Sequence, residues 1–360
     1  MTVFYIEIFI TYMFSLVARW NKNKITKRPE ILLSIFVVII IIAVSGLRNG
    51  IGDTPAYEHF YTIVGERPNL SVAIEEGKES YEPGFIVLFW ILNQISNEPQ
   101  LMILACALIT NFLNIWTMRI YSKVFELEVY MYITSGFYVV TMNGIRQALA
   151  SAILFAATKY IIEGNFTKYL IVVLFSYTIH SSTLIMIPIY FIVRCEAWSK
   201  NTIKIIIIAA IALICIQPLM DAFFEASEGT KYEAYEGTMA VEGGASPIRT
   251  VISAIPVILA YVYRDKLKKE WPESNIFVNM SLICLIISVF SMINWVFNRF
   301  NMYFQIYSFM VLPYIIKNCF DKRQKGLIYF GFIVCYLGFF YFETAMSQGV
   351  SYTSNYIKLR

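Results

Sequence analysis

Residues 31–61 read ILLSIFVVIIIIAVSGLRNGIGDTPAYEHFY. From Ile31 to Leu47 the run holds no charge. It then gives way within a few residues to Arg48, to the turn formers Asn49, Gly50 and Gly52, and to Asp53. An apolar run of this length reads as a helix that crosses or enters a bilayer. An arginine and an aspartate at its exit need an explanation, because an arginine within an apolar segment costs about 2.5–3.5 kcal/mol on insertion scales and so tends to face a protein interior with a partner.

The rest of the chain extends this reading. Of 360 residues, 58% are hydrophobic and 15% charged, and mean hydropathy is +0.60. A soluble domain is nearer half apolar and a quarter charged, so a water-soluble globule is excluded. Apolar segments recur at 3–18, 31–47, 84–96, 100–118, 128–142, 145–162, 168–179, 181–193, 202–219, 248–263, 275–293, 300–316 and 326–342. The expectation is an all-α, polytopic transmembrane helical bundle in one integral membrane domain, 1–360, with about twelve spans. The segment 84–96 is too short to span and reads as re-entrant or interfacial. The first 18 residues lack a basic start and are followed by Arg19, Lys22 and Lys24, which predicts a first span and not a cleaved signal peptide. The six cysteines form neither a disulfide framework nor a metal-binding spacing.

Charge sets the expected orientation. The basic segments 19–30, 194–204, 264–271 and 317–325 are expected on the cytoplasmic side. The two long acidic loops, 48–82 and 220–247, are then expected outside. Short arms meet at His180, and Asn143-Gly144 interrupts the chain before Arg146. Broken backbone at that depth is tolerated where it lines a protein-walled cavity, so Arg146 and His180 are expected in a recess open to the outside.

Four basic side chains then fall at outer helix ends: Arg48, Arg146, His180 and Arg299. Snorkelling to headgroups would explain any one of them. Four together point to an anion, and arginine suits phosphate because its planar fork stays charged and offers several donors. Asn49-Gly50 and Asn143-Gly144 add free backbone N–H groups beside helix starts. Asp53 reads either as a helix cap ahead of Pro55 or as a general base. Tyr57 and Tyr61, four residues apart, share a helix face and suit a sugar-stacking platform or an interfacial belt. Glu82 is a further candidate acid. There is no phosphate-binding glycine loop, metal spacing or serine nucleophile motif.

These residues resemble the EpsG family of Wzy-like exopolysaccharide polymerases. The likeness rests on Arg48 with Gly52, Asp53 and Tyr57; on Glu82-Pro83-Gly84; on Asn143-Gly144-Ile145-Arg146-Gln147-Ala148-Leu149; on His180-Ser181-Ser182 before Pro188; and on Arg299 with Tyr303. Gly52 and Asp53 adjoin here, where many relatives place a residue between them. The resemblance implies a GT-C-like glycosyltransferase without a metal or other cofactor, which joins undecaprenyl-pyrophosphate-linked oligosaccharide units at the outer face of the bacterial cytoplasmic membrane. It also implies a flippase and a chain-length regulator as partners, and no nucleic acid. On this reading Arg48, Arg146 and Arg299 hold the departing pyrophosphate. Asp53 or His180 handles the acceptor proton, with Arg146 also catalytic, and Tyr57, Glu82 and Gln147 contact sugar. A lipid-linked glycan transporter and an O-antigen-type ligase stay open as alternatives.

Overall fold

A computed structural model describes residues 1–215 and 243–357. The expected acidic loop 220–247 therefore lies almost wholly outside the described residues. Those described are helical, and no strand occurs among them beyond an isolated bridge between Gly243 and Asn294. The chain divides into two compact units, one of Met1–Leu184 with Pro313–Arg360 and one of Ile185–Leu312.

In the first unit the helix Ile31–Gly46 begins where the Glu30 carboxylate accepts the Leu32 and Leu33 N–H groups, at 2.9 and 2.7 Å. Such a cap satisfies donors that a helix start otherwise leaves open. One face buries Val37, Val38, Ile41 and Val44, while Leu32, Phe36 and Ile39 stay exposed. An apolar face with no protein against it fits a lipid environment. The long helix Pro99–Tyr121 packs on the buried side, at Ser45 and Gly46. It approaches so closely that a Cβ on Gly46 would lie 2.7 Å from Leu104 Cδ1. Asn111 Nδ2 donates to Ser45 Oγ at 2.9 Å across the contact.

Phe125–Thr134 is buried at every position and forms the centre of this unit. Thr2–Trp20 packs on it and on Ile31–Gly46, burying Phe4, Ile8, Thr11, Ser15 and Ala18 at helical spacing. Tyr132 donates to Asn111 Oδ1 at 2.7 Å and Tyr138 to the Ile41 carbonyl at 2.7 Å. In the second unit, Ser274–Ser291 is the buried helix. Its Asn279 amide donates to the Val193 and Cys195 carbonyls at 3.1 and 2.7 Å.

Four helices among the described residues are long and apolar enough to cross a membrane: Thr2–Trp20, Pro99–Tyr121, Ser274–Ser291 and Lys322–Ser347. A fifth is counted if Pro247–Val262 and Arg264–Glu270, bent by 75°, form one span. Several expected segments are shorter because the backbone breaks inside them. The run 128–142 is split at Gly136, whose φ of +80° ends Phe125–Thr134 and starts Phe137–Asn143. The run 300–316 opens with the 3₁₀ stretch Trp295–Tyr303 ahead of Gln305–Asn318. Hydropathy reports apolarity, and these breaks are changes of backbone conformation inside apolar sequence.

Residues 48–98 leave and return at one end of the first unit. Gln100 Nε2 donates to the Gly46 carbonyl at 2.7 Å, so Pro99–Tyr121 starts where Ile31–Gly46 stops. Its other end places Arg119 in a cleft with Arg28 and Ile31. Three short helices fill the excursion: Thr54–Gly65, Leu70–Gly77 and Pro83–Asn93. The last is 11 residues, about 16 Å of helix.

Candidate functional site

The site grows from three breaks in the chain that dock on one another. The first is the turn at 48–54. Arg48 is 2% exposed. Its guanidinium donates to the Ser45 carbonyl, to the Met142 carbonyl at 2.8 Å and to Thr54 Oγ1 at 3.4 Å. Thr54 Oγ1 in turn donates to the Ile51 carbonyl at 2.8 Å. Burial lowers the Arg48 pKa to about 10, which leaves it cationic at neutral pH. The arginine thus ties its own turn to the end of Phe137–Asn143.

The same two segments meet again beside it. The Asp53 N–H donates to Asn143 Oδ1 at 2.8 Å. Gly52 stands at φ +57°, and a Cβ there would fall 2.1 Å from that oxygen. A left-handed backbone and a side-chain approach this close both require glycine. Asp53 occupies the N-cap position of Thr54–Gly65 but makes no side-chain cap bond. Its carboxylate is exposed, and its charge acts on Tyr57 and Tyr81.

The second and third breaks meet at Glu82, which precedes Pro83–Asn93 as its N-cap residue. Gly84 N–H donates to the Thr178 carbonyl at 2.7 Å, and a Cβ on Gly84 would sit 2.7 Å from that oxygen. This close approach brings the end of Phe166–Tyr177 onto the Glu82 turn. Glu82 Oε1 then accepts the Ser181 N–H at 3.1 Å and lies 3.7 Å from His180 Nδ1. Glu82 Oε2 accepts from Arg146 Nη1 at 2.6 Å. The carboxylate is 7% exposed, against 22% for Arg146 and 20% for His180, so the acid is the buried member and the two bases are partly exposed. Burial works to raise the Glu82 carboxyl. The His180 imidazole, the Arg146 charge and the Ser181 N–H outweigh it and hold the group far below the usual carboxylate range.

Arg146 sits at the start of Ile145–Ala156, directly after the Gly144 break. Its guanidinium lies 4.5 Å from the Tyr81 ring centroid, and Tyr81 stacks on Phe60 at 4.0 Å. A cation over an aromatic face is attracted by the ring quadrupole. Nη1 also reaches the Ser80 carbonyl at 3.5 Å. Tyr57 is 6% exposed; its ring packs on Phe85 at 5.9 Å between centroids, and it interacts with Arg146. Tyr61 is fully buried, donating to the Ser96 carbonyl at 2.7 Å. Tyr57 and Tyr61 therefore form an inner wall and not an open stacking platform. Gln147 is buried as well.

The first unit thus brings together Arg48, Asp53, Tyr57, Glu82, Arg146, Gln147 and His180. Arg299 belongs to the second unit, exposed on the stretch Trp295–Tyr303 with its guanidinium 5.4 Å from the Trp295 ring centroid. Two contributors escaped the sequence reading, Tyr81 and Thr178. Tyr81 was within reach of it, since it adjoins Glu82. Thr178 acts through its carbonyl, which side-chain chemistry cannot signal. Among the described residues no three His, Cys, Asp or Glu side chains group as a metal ion would require.

The sequence matches the EpsG family over residues 31–357. The chain belongs to the EpsG family. The matched range includes every residue of the cluster around Glu82. A similar protein is the amylovoran biosynthesis protein AmsC of Erwinia amylovora, 25% identical over 175 residues, which are 48% of this chain and 47% of AmsC. The chain thus spans about half the length of this curated relative. No solved structure matches this member of the EpsG family.

Proposed function

We propose that this protein is a polysaccharide polymerase that extends an exopolysaccharide by glycosyl transfer from a lipid-pyrophosphate-linked repeat unit. The observation that carries the reading is Arg146, held by Glu82 and Tyr81 and left partly exposed beside His180, which meets the same carboxylate. Membership of the EpsG family and likeness to an amylovoran biosynthesis protein support the same chemistry.

In the transfer, an acceptor sugar hydroxyl attacks the anomeric carbon of the donor. A new C–O bond forms, the bond from that carbon to the pyrophosphate oxygen breaks, and the lipid pyrophosphate leaves with the electron pair. Negative charge grows on the departing group, so a cation fixed in advance acts most strongly in the transition state. Arg146 fills that role. Nη1 is committed to Glu82 and Tyr57 shares the guanidinium, which carries five N–H donors in all. The acceptor proton passes to His180. Its Nδ1 faces Glu82, which orients the ring and leaves Nε2 as the accepting atom, in the manner of a carboxylate–histidine pair. Asp53, exposed beside Tyr57 and Tyr81, steers the acceptor hydroxyl. Arg48 builds the turn that carries Asp53.

We further place the 48–98 excursion and the cluster around Glu82 on the outer side of the bacterial cytoplasmic membrane. The basic residues Arg19, Lys22, Lys24, Lys27 and Arg28 flank the opposite end of the Ile31–Gly46 helix, and basic flanks stay inside. The test is incubation of the purified protein with an undecaprenyl-pyrophosphate-linked repeat unit, without nucleotide sugar. Lengthened glycan on lipid is the expected product. Glycan that only changes leaflet, unlengthened, would assign the chain to transport, and transfer to a different acceptor would assign it to ligation.

A further inference from the structure

A second group of cations lies at the other end of the Pro99–Tyr121 helix. From Gln100, beside the Arg48 turn, to Arg119 the helix rises about 28 Å, close to the roughly 30 Å of a hydrocarbon core. Arg119 there borders a cleft of about 320 Å³ with Arg28, lined also by Asn21, Asn23, Thr26 and Glu30. Arg119 is 8% exposed, and its buried Nε has no hydrogen-bond partner among the described residues. The Trp116 ring, 4.9 Å from its Cζ, holds the guanidinium plane. Arg28 is exposed at the mouth, and the two like charges act on each other.

Two arginines that line one cleft, neither in an ion pair among the described residues, repel each other and favour a further anion between them. Glu30 lines the same cleft and its charge acts on Arg119, but both of its carboxylate oxygens are engaged in capping Leu32 and Leu33. The neighbouring Arg19 has its own partner in Glu126, at 2.5 Å. The loop that carries Arg28 is also fixed in advance. Asn23 N–H donates to the Arg28 carbonyl at 2.9 Å, Lys27 N–H to the Asn23 carbonyl at 2.9 Å, and Glu30 N–H to the Ala18 carbonyl at 2.8 Å. Lys27 adopts φ +57°, a left-handed conformation that costs a non-glycine residue free energy.

We propose that the Arg28–Arg119 cleft binds a phosphate group, at the end of the Pro99–Tyr121 helix away from the Arg48 turn. A phosphodiester fits the chemistry, since two guanidiniums can fork onto its free oxygens while the Trp116 side lies against acyl chain. The site is independent of the glycosyl-transfer reading.

The probe is the full-length protein in nanodiscs of phosphatidylcholine with phosphatidylglycerol, released and weighed by native mass spectrometry. Wild type is expected to retain phosphatidylglycerol. The Arg28→Gln/Arg119→Gln double variant should lose about tenfold or more of that retention, and Arg28→Lys/Arg119→Lys should keep most of it. Arg28→Gln alone, an exposed change, serves should the double variant fail to fold. A parallel arm titrates inorganic phosphate. Displacement of the lipid at millimolar phosphate assigns the site to free phosphate, and retention against phosphate assigns it to the lipid headgroup. Equal retention of phosphatidylglycerol by wild type and the Gln variants, with no effect of phosphate on either, would overturn the proposal.

Discussion

The Arg48 turn and the Arg146 cluster look alike in sequence. Each has an arginine beside an Asn-Gly pair at the end of an apolar run. In the structure they differ in where the donors point. Arg48 is sealed in, and its hydrogen bonds go to Ser45, Thr54 and Met142. Arg146 is anchored by Glu82 and lies partly exposed over Tyr81. The first arrangement holds a backbone break in place, and the second presents charge. A buried cation whose donors end on carbonyls supports architecture, whereas a partly exposed cation held by one carboxylate retains donors for a ligand.

The largest effect that would sharpen this contrast is on folding. Arg48→Ala leaves the Met142 and Ser45 carbonyls in a buried site without their donor, at a cost of about 3 kcal/mol or more. A lowered melting temperature and reduced yield in detergent are the expected readouts. A variant as stable as wild type would break the distinction from the Arg48 side. Next comes Arg146→Lys, which keeps the charge and loses the planar fork. We expect chain extension to fall about tenfold to thirtyfold with melting unchanged, measured as initial rate per folded protein. Smaller again is Gly52→Ala. The φ of +57° and the clash with Asn143 Oδ1 together cost about 1–3 kcal/mol, to be read as a shift in melting temperature. An unshifted melting curve would show that the 52–53 turn does not dock on Asn143.

The smallest expected effect is with pH. Because Glu82 is held far below the usual carboxylate range, its pairing adds stability that is present above the unfolded-state pKa. That contribution is lost only as pH falls through the lower folded-state value. Between pH 7 and pH 5 the Glu82–Arg146 pair should therefore contribute no change in stability. With the neighbouring imidazole removed by His180→Asn, the proteins with Glu82 and with Glu82→Gln are expected to show parallel melting temperatures over that range. Curves that diverge between pH 7 and pH 5 would show that Glu82 titrates there.

The helical membrane class was legible from the runs around Ile31–Leu47 and Ile276–Phe290, because apolar composition is a property of sequence. The candidate site residues were legible as chemistry: Arg146 and His180 stand out in apolar surroundings, and Glu82 stands directly before an apolar helix. Their assembly was not. It depends on Gly84 approaching the Thr178 carbonyl and on Gly52 fitting under Asn143, contacts between segments some ninety residues apart that no local pattern records. Nor could the sequence separate Arg48 from Arg146, since the difference lies in which acceptors surround each guanidinium. Span counting met a related limit at Gly136, where one left-handed residue divides an unbroken apolar run.

The most direct test compares chain extension from a lipid-pyrophosphate-linked repeat unit by Arg146→Gln and Arg48→Gln, each rate divided by the amount of folded protein. Arg146→Gln should lose about a hundredfold or more, while the Arg48→Gln molecules that fold should work within a few-fold of wild type. Near-normal extension by Arg146→Gln, or loss confined to folded Arg48→Gln, would contradict the assignment of the pyrophosphate to Arg146.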